Sequence, residues 1–185
     1  MTSNFNYSIA ANVLRDGGIV AYPTEAVFGL GCNPHDPNAL KALLTLKQRS
    51  PALGLIVIGA SIDAVMPYLA KPSDIVIKKL HRSWPGPTTW IVEAQGLNDW
   101  VTGGRDTVAV RVPDHPVCQG LCRAFGDVVV STSANVSGRP PALNRLQLRA
   151  QFPTGIHHIM GGQLGDAANP SQIIDCRTDR VLRQS

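Results

Sequence analysis

Three polar side chains follow the run of valines at residues 128–130, where a predicted buried strand ends. Ser131, Ser133 and Asn135 recur at every second residue, so an extended segment presents all three on one side. Hydroxyl and amide groups in that position can bind phosphate oxygens or a ribose without neutralising charge. A serine hydrolase is the weaker interpretation, because the Gly-x-Ser-x-Gly elbow is absent and no His and Asp partners can be assigned.

A lysine and an arginine stand two residues apart at the end of a leucine-rich segment. Lys47 and Arg49 would lie about 200° apart on a continuing helix, whereas an extended segment points them the same way. If they share a ligand, the helix ends near Lys47. The pair would suit a polyphosphate, although the Walker phosphate loop is absent. The alternative is a solvated helix end whose cations complement the helix dipole.

Another arginine lies on a predicted strand with alternating character. The valines at 108, 110 and 112 occupy one face, and Thr107 and Arg111 lie on the other. An arginine on a buried strand needs an anionic partner, because an unpaired buried charge costs several kcal/mol. That partner is either a protein carboxylate or the carboxylate of a substrate. Thr107 and Arg111 are roughly 13 Å apart along the strand, which is the span of a nucleotide-sized ligand.

The segment 22–32 comes directly after a predicted buried strand and carries Thr24, Glu25, Gly29 and Gly31. Ligands of open α/β sheets bind beyond the carboxyl ends of strands, which makes this segment a candidate for one wall of a site. We expect the two glycines to give the backbone conformational freedom. An ordinary strand-to-helix loop is an equally good interpretation of this segment alone.

The basic excess is small but unevenly placed. The 185 residues include 17 Lys and Arg against 13 Asp and Glu, a formal charge of +4. Two windows contain cations and no acid: residues 37–62, with Lys41, Lys47 and Arg49, and residues 128–165, with Arg139, Arg145 and Arg149. These windows favour an anionic ligand, whereas the surplus by itself would indicate no more than solubility.

Composition excludes several classes of protein. With 44% hydrophobic and 16% charged residues the chain is not disordered, and its longest apolar runs are only strand-sized, which excludes a membrane span. No signal peptide is predicted, so we expect a cytoplasmic protein. The four cysteines form no Cys-x-x-Cys pair, and we expect them to pack in the core rather than to bind a metal.

Helical and strand-like segments alternate along most of the chain, which predicts an α/β fold with a twisted, open, partly parallel sheet flanked by helices. We expect one domain over residues 1–185, since nothing marks a boundary. Helices are predicted at 8–16, from Asp36 to about Lys47, and at 61–69, 73–84, 114–125 and 144–152. Strands are predicted at 18–22, 55–58, 88–92, 107–112, 127–130, 156–160, 171–175 and 180–183.

Four motifs in this order resemble the YrdC/TsaC family of threonylcarbamoyl-AMP synthases, in its short bacterial form. They are Tyr-Pro-Thr-Glu-x-x-x-Gly-Leu-Gly-Cys at 22–32, Lys-x-Arg at 47–49, Val-Arg-Val-Pro at 110–113 and Ser-Thr-Ser-Ala-Asn-x-Ser-Gly at 131–138. Each motif is modest alone, but four in order at compatible spacing are hard to obtain by chance. The resemblance covers essentially the whole chain and implies a YrdC-like fold with a basic concave surface.

The resemblance implies synthesis of threonylcarbamoyl-AMP and pyrophosphate from L-threonine, bicarbonate and ATP. Other tRNA-modification proteins use this intermediate to modify adenosine beside the anticodon. By similarity, threonine is bound by Thr24, Arg111 and Ser131. The residues implied for ATP are Lys47, Arg49, Thr107, Ser133, Asn135 and Ser171, of which Lys47, Arg49, Ser133 and Asn135 are the expected catalytic residues. We expect the nucleotide to carry Mg²⁺, because the sequence contains no dedicated carboxylate cage.

Two points stay open at the level of sequence. Ile58 stands where family members commonly have a histidine that contacts threonine, which puts one substrate contact in doubt. The rival hypothesis is a module that binds double-stranded RNA or tRNA through its basic windows. The aromatic fraction is 5%, so we would expect contacts to phosphates and to RNA shape rather than base stacking.

Overall fold

The computed structural model, which describes residues 4–184, contains a mixed sheet of nine strands. The strands are β1 Val20–Pro23, β2 Phe28–Gly31, β3 Ile56–Ile58, β4 Thr88–Glu93, β5 Thr107–Arg111, β6 Val129–Ser133, β7 His158–Ile159, β8 Gln172–Asp175 and β9 Val181–Arg183. Their order across the sheet is β7-β1-β2-β6-β3-β5-β4-β8-β9. Parallel pairs are β1 with β7, β3 with β5 and β4 with β8, and the other neighbours are antiparallel.

Seven α-helices accompany the sheet in the described part of the chain. They are α1 Asn4–Arg15, α2 Pro37–Lys47, α3 Ile62–Val65, α4 Asp74–Ser83, α5 Asp99–Thr102, α6 Pro116–Phe125 and α7 Arg145–Gln151. Between residues 4 and 184 no helix is both long and apolar enough to cross a membrane. The fold is therefore the mixed α/β arrangement that the alternating pattern predicts.

The two faces of the sheet differ in how they are covered. One face packs on the leucines of α2 and on α4, α5 and α7, with Leu40, Val108 and Val110 fully or almost fully buried. On the other face, α1 and α6 cover only part of the sheet, where Tyr22, Ile58 and Val129 are buried. Thr107 and Arg111 of β5 lie on the uncovered remainder of that second face, as the alternation along this strand predicts.

Helix α2 begins and ends where its sequence predicts. Asp36 caps the helix, since its carboxylate accepts hydrogen bonds from the backbone N–H groups of Asn38 at 2.8 Å and Ala39 at 3.2 Å. The helix ends at Lys47 because Gln48 adopts the left-handed conformation, with φ 51°. This end turns the chain so that Arg49 leaves the helix.

The prediction of a loop over residues 22–32 was wrong in part, because β2 forms within it. The two glycines are strand residues that make room for a ring, and neither has the positive φ that favours glycine. A Cβ on Gly29 would lie 3.1 Å from Tyr22 Cε2, and one on Gly31 would lie 2.6 Å from the Val130 carbonyl oxygen. The glycines therefore allow the buried Tyr22 side chain to lie flat against the neighbouring strand.

We predict that Gly31→Ala destabilises the protein, because the added methyl group meets backbone rather than a flexible side chain. Overpacking of this kind costs about 1–3 kcal/mol, or roughly 2–10 °C in Tm for a domain of this size. Gly161→Ala is the matched control, since its Cβ would find Asn6 Nδ2 at an ordinary 3.7 Å. Thermal unfolding followed by circular dichroism measures both; equal Tm values for Gly31→Ala and wild type would contradict the close approach.

Other boundaries differ from the sequence prediction for local reasons. Asp114 does not cap α6; the cap position is His115, which makes no side-chain capping bond, and Pro116 opens the helix. Helix α5 was not predicted, although Asn98 caps it through a 2.9 Å bond from Trp100 N–H. The predicted strand at 156–160 is reduced to the two residues of β7.

All four cysteines are buried and unbridged, as expected for core residues. Cys118 and Cys122 lie on α6 against the sheet, and Cys32 and Cys176 lie in the core on the other face. Burial raises the pKa of each of the four thiols.

Candidate active site

A cavity of about 300 Å³ opens on the uncovered part of the second sheet face. Seven of the nine site residues predicted from the sequence line it: Thr24, Arg49, Thr107, Arg111, Ser131, Ser133 and Ser171. Further wall residues come from other strands, among them Gly29, Ile56, Ile91 and Ile173. The cavity thus gathers segments that are far apart in the sequence into one place.

Arg111 has a protein carboxylate as its anionic partner. Its guanidinium donates to Glu25 Oε1 at 2.6 Å, and its Nε donates to the Gly86 carbonyl at 2.8 Å. Both side chains are largely buried, with 12% and 14% of their surface exposed. Arg111 lies on β5 and Glu25 in the turn between β1 and β2, so the ion pair crosses the two intervening strands, β6 and β3.

The turn that carries Glu25 is stabilised by its own hydrogen bonds. Thr24 Oγ1 donates to the Val27 carbonyl at 2.7 Å, which leaves the oxygen lone pairs of that hydroxyl for a ligand. A segment preceding β8 lies over the turn: Gly165 N–H donates to Thr24 O at 3.0 Å and Ala167 N–H to Glu25 O at 3.1 Å. Glu25 is therefore held from both sides of its backbone.

Lys47 and Asn135 are the two predicted site residues that are not among the lining residues of the cavity. The Lys47 amino group donates to the carbonyls of Ser133 and of Asn135, the latter at 2.8 Å. Asn135 accepts a 2.6 Å bond from Ser133 Oγ and donates to Arg139 O at 2.8 Å. Both side chains thus position Ser133 from behind the cavity wall.

The Lys47 side chain is almost completely buried, with 2% of the residue exposed. Loss of hydration lowers the pKa of its amino group to about 7, and the nearby charge of Arg49 acts in the same direction. The two carbonyl acceptors oppose this shift because they stabilise the ammonium form. An anion bound beside Arg49 would oppose it further.

Four arginines line the cavity, and two of them, Arg105 and Arg183, were not among the predicted site residues. Arg183 on β9 donates to the Ser171 carbonyl at 2.6 Å, and its pKa is lowered by lost hydration and by the charges of Arg111 and Arg49. Arg49 donates to Gly54 O at 3.1 Å, and burial lowers its pKa. Arg183 was not predicted as a site residue, because its approach to the cavity depends on the pairing of β8 with β9.

The other hydroxyl groups of the wall are placed by the neighbouring strands. Ser171 and Thr89 share a 2.8 Å hydrogen bond between their hydroxyls, and both residues are buried. Ser131 and Ser133 lie on the same face of β6, as their period predicts, while Thr107 faces the cavity from β5. Neutral donors and acceptors therefore line the cavity together with the arginines.

Ile58 does not contribute to the cavity wall. It is 3% exposed and packs in the core under α6, where Cys122 Sγ donates to its carbonyl. The position that the resemblance associates with a histidine contact to threonine is thus filled by a core side chain in this protein. Arg139, Arg145 and Arg149 are exposed and are not among the lining residues.

Comparison with known proteins gives consistent matches over nearly the whole chain. The Sua5/YciO/YrdC family, described as telomere recombination, matches residues 12–185. Proteins named threonylcarbamoyl-AMP synthase from Cellvibrio japonicus and Pseudomonas aeruginosa PAO1 are each 47% identical, covering 98% and 99% of this chain and 97% and 99% of their own.

Solved structures agree with the fold. P. abyssi Sua5 complexed with L-threonine superposes with a TM-score of 0.88 at 32% identity over 94% of this chain, which spans 51% of the Sua5 chain. E. coli YciO, 22% identical, has a TM-score of 0.88 and covers 98% of this chain and 90% of its own. The cavity described above therefore lies in a fold that these proteins share, and the chain belongs to the Sua5/YciO/YrdC family.

Proposed function

We propose that this protein is an L-threonylcarbamoyladenylate synthase, a nucleotidyltransferase that makes threonylcarbamoyl-AMP and pyrophosphate from L-threonine, bicarbonate and ATP. The observation that carries the proposal is the convergence of Arg49, Arg111 and Arg183 on one cavity that also holds several hydroxyl groups. It is supported by 47% identity over nearly the full length to proteins that bear this enzyme name.

The chemistry needs no protein nucleophile. The threonine amine and bicarbonate combine to a carbamate with loss of water, and a carbamate oxygen attacks the α-phosphorus of ATP. A new P–O bond forms as the bond to the β-phosphate oxygen breaks, and pyrophosphate leaves with the electron pair. The protein's part is to hold the reactants together and to stabilise the negative charge that builds up on the phosphate oxygens.

The wall residues divide this work by charge. Arg111 binds the threonine carboxylate, and Thr24 and Ser131 offer hydroxyl groups to the rest of the amino acid. Arg49 and Arg183 bind phosphate oxygens as forked donors, and Thr107, Ser133 and Ser171 contact the nucleotide through neutral groups. Lys47 and Asn135 act on the nucleotide through Ser133, since their polar atoms are bonded to that segment.

The residues present do not form a Mg²⁺ site of their own. Among residues 4–184 no three His, Cys, Asp or Glu side chains come together as metal ligands. Glu25 is the one carboxylate among the described lining residues, and it is already paired with Arg111. We therefore assign Mg²⁺ to the nucleotide and no step of the reaction to a protein-bound ion.

The wider role follows from the product. A mixed anhydride of a carbamate and AMP is hydrolytically labile, so a second enzyme must take it over to modify adenosine beside the tRNA anticodon. The setting is the cytoplasm, with residues 1–185 acting as one domain. The exposed Arg139, Arg145 and Arg149 are the side chains that would contact RNA phosphates if tRNA binds directly.

The test is pyrophosphate release by the purified protein with ATP and Mg²⁺. We expect release that requires both L-threonine and bicarbonate, and formation of threonylcarbamoyl-AMP detectable by mass spectrometry. Omission of threonine, and replacement by D-threonine, are the controls. Equal release without threonine, or none with all substrates present, would refute the proposed function.

A further inference from the structure

The Glu25 carboxylate makes full use of only one of its oxygens. Oε1 accepts the 2.6 Å bond from Arg111, whereas Oε2 is buried and has no hydrogen-bond donor among the described residues. A buried carboxylate oxygen without a donor is costly, because it has lost its bonds to water and gained none in return. The group is therefore incomplete until a donor reaches it.

The surroundings of Glu25 restrict what that donor can be. Glu25 is the sole acidic side chain among the described residues that line the cavity, whose other charged members are Arg49, Arg105, Arg111 and Arg183. An anionic ligand alone would repel this carboxylate. A ligand that carries both charges, with its own carboxylate on Arg111 and its ammonium group on Glu25, satisfies both members of the ion pair.

The backbone at Glu25 is fixed in place. Gly165 N–H binds Thr24 O and Ala167 N–H binds Glu25 O, so the segment over the turn fixes the backbone on both sides. Gly165 packs so closely that a Cβ there would lie 2.9 Å from the Glu25 Cα. A carboxylate that gave way to the substrate through a shift of its turn would need room for the backbone, and this packing opposes such a shift.

We propose that Glu25 binds the α-ammonium group of the amino-acid substrate and so determines that the site takes a free α-amino acid rather than a hydroxy acid. The ammonium group offers three donors, one of which meets Oε2. This inference rests on the proposed function. Because the contact exists before the amine becomes a carbamate, its loss raises KM for threonine far more than it lowers kcat.

The experiment compares two ligands on two proteins. L-threonine and 2,3-dihydroxybutyrate, which has a hydroxyl group in place of the ammonium, are titrated by calorimetry into wild type and Glu25→Gln. We expect wild type to favour threonine by about 10- to 100-fold, as for a hydrogen bond between charged groups, and Glu25→Gln to reduce that preference to about twofold. Affinity for 2,3-dihydroxybutyrate changes little.

The remaining outcomes are distinct. Tighter threonine binding by Glu25→Gln would mean that Glu25 competes with the substrate for Arg111, and equal weakening for both ligands would mean a structural role; either result overturns the inference. Glu25→Asp, which keeps the charge on a shorter side chain, is expected to recover part of the preference. Unchanged ATP binding shows that the variants are folded.

Failure of the inference can be told apart from failure of the proposed function. If wild type binds threonine with the stated preference and Glu25→Gln retains it, the assignment of Glu25 alone is wrong. If wild type neither binds threonine nor releases pyrophosphate in its presence, the proposed function fails, and the inference fails with it.

Discussion

We expect Arg111→Ala to abolish measurable threonine-dependent pyrophosphate release. The guanidinium is the group placed to bind the substrate carboxylate, and its removal also leaves Glu25 without its partner. Truncating one partner of a buried charge pair between protein and ligand costs about 2–5 kcal/mol of binding free energy, which corresponds to a loss of at least about 30-fold in kcat/KM. Steady-state kinetics with varied threonine measure the loss.

A matched control separates this effect from a simple change of net charge. Arg82 is exposed on α4 and is not among the residues that line the cavity, and Arg82→Ala removes the same charge. We expect wild-type kinetics for that variant. A wild-type KM for threonine in Arg111→Ala would exclude Arg111 as the carboxylate ligand, provided that ATP binding shows the variant to be folded.

The second large effect is expected for Lys47→Met. The substitution leaves the Ser133 and Asn135 carbonyls without their shared donor, at about 1–3 kcal/mol for each unsatisfied group, and it removes the cost of burying an amine. It also frees the Ser133 segment that lines the cavity. We therefore expect a less stable protein whose nucleotide affinity falls as well.

The loss of stability in Lys47→Met depends on pH in a defined direction. The pKa of Lys47 is about 7 in the folded protein and 10.5 in the unfolded chain, so between these values the unfolded chain binds more protons and the wild type gains stability as pH rises. The gain approaches about 1.4 kcal/mol per pH unit and is absent from the variant. The destabilisation by Lys47→Met is thus smallest below pH 7 and grows towards pH 10.

Urea unfolding at pH 6, 7.5 and 9 measures this difference. Lys41→Met is the control, because Lys41 is exposed on the same helix and its removal should cost nearly the same at each pH. A constant difference between Lys47→Met and wild type across the three pH values would contradict the lowered pKa.

Local patterns predicted the parts of the site that depend on a single segment. The alternation at 107–112 places Arg111 opposite the valine face, and the Asp36-Pro37 start with the end near Lys47 predicts α2. The period of Ser131 and Ser133 predicts their common face on β6. Each of these outcomes follows from the geometry of one helix or one strand.

Features that depend on long-range packing were beyond such reasoning. The partner of Arg111 was left open between a protein and a substrate carboxylate, because only the sheet order brings Glu25 across two strands. The glycines of β2 were expected to give backbone freedom, since nothing local indicates that the Tyr22 ring lies against them. The approach of Arg183 likewise depends on the pairing of β8 with β9, and the burial of Lys47 depends on the packing of the end of α2 against the segment at the end of β6.

The four buried thiols react slowly with alkylating agents while the protein is folded. A thiolate is the form that alkylating agents attack, and burial both hides each sulfur and raises its pKa. Cys32, Cys118 and Cys176 lie in separate parts of the fold, so the rate at which each is alkylated reports how often that part opens. These native cysteines can therefore report local unfolding, and no cysteine has to be introduced by mutation.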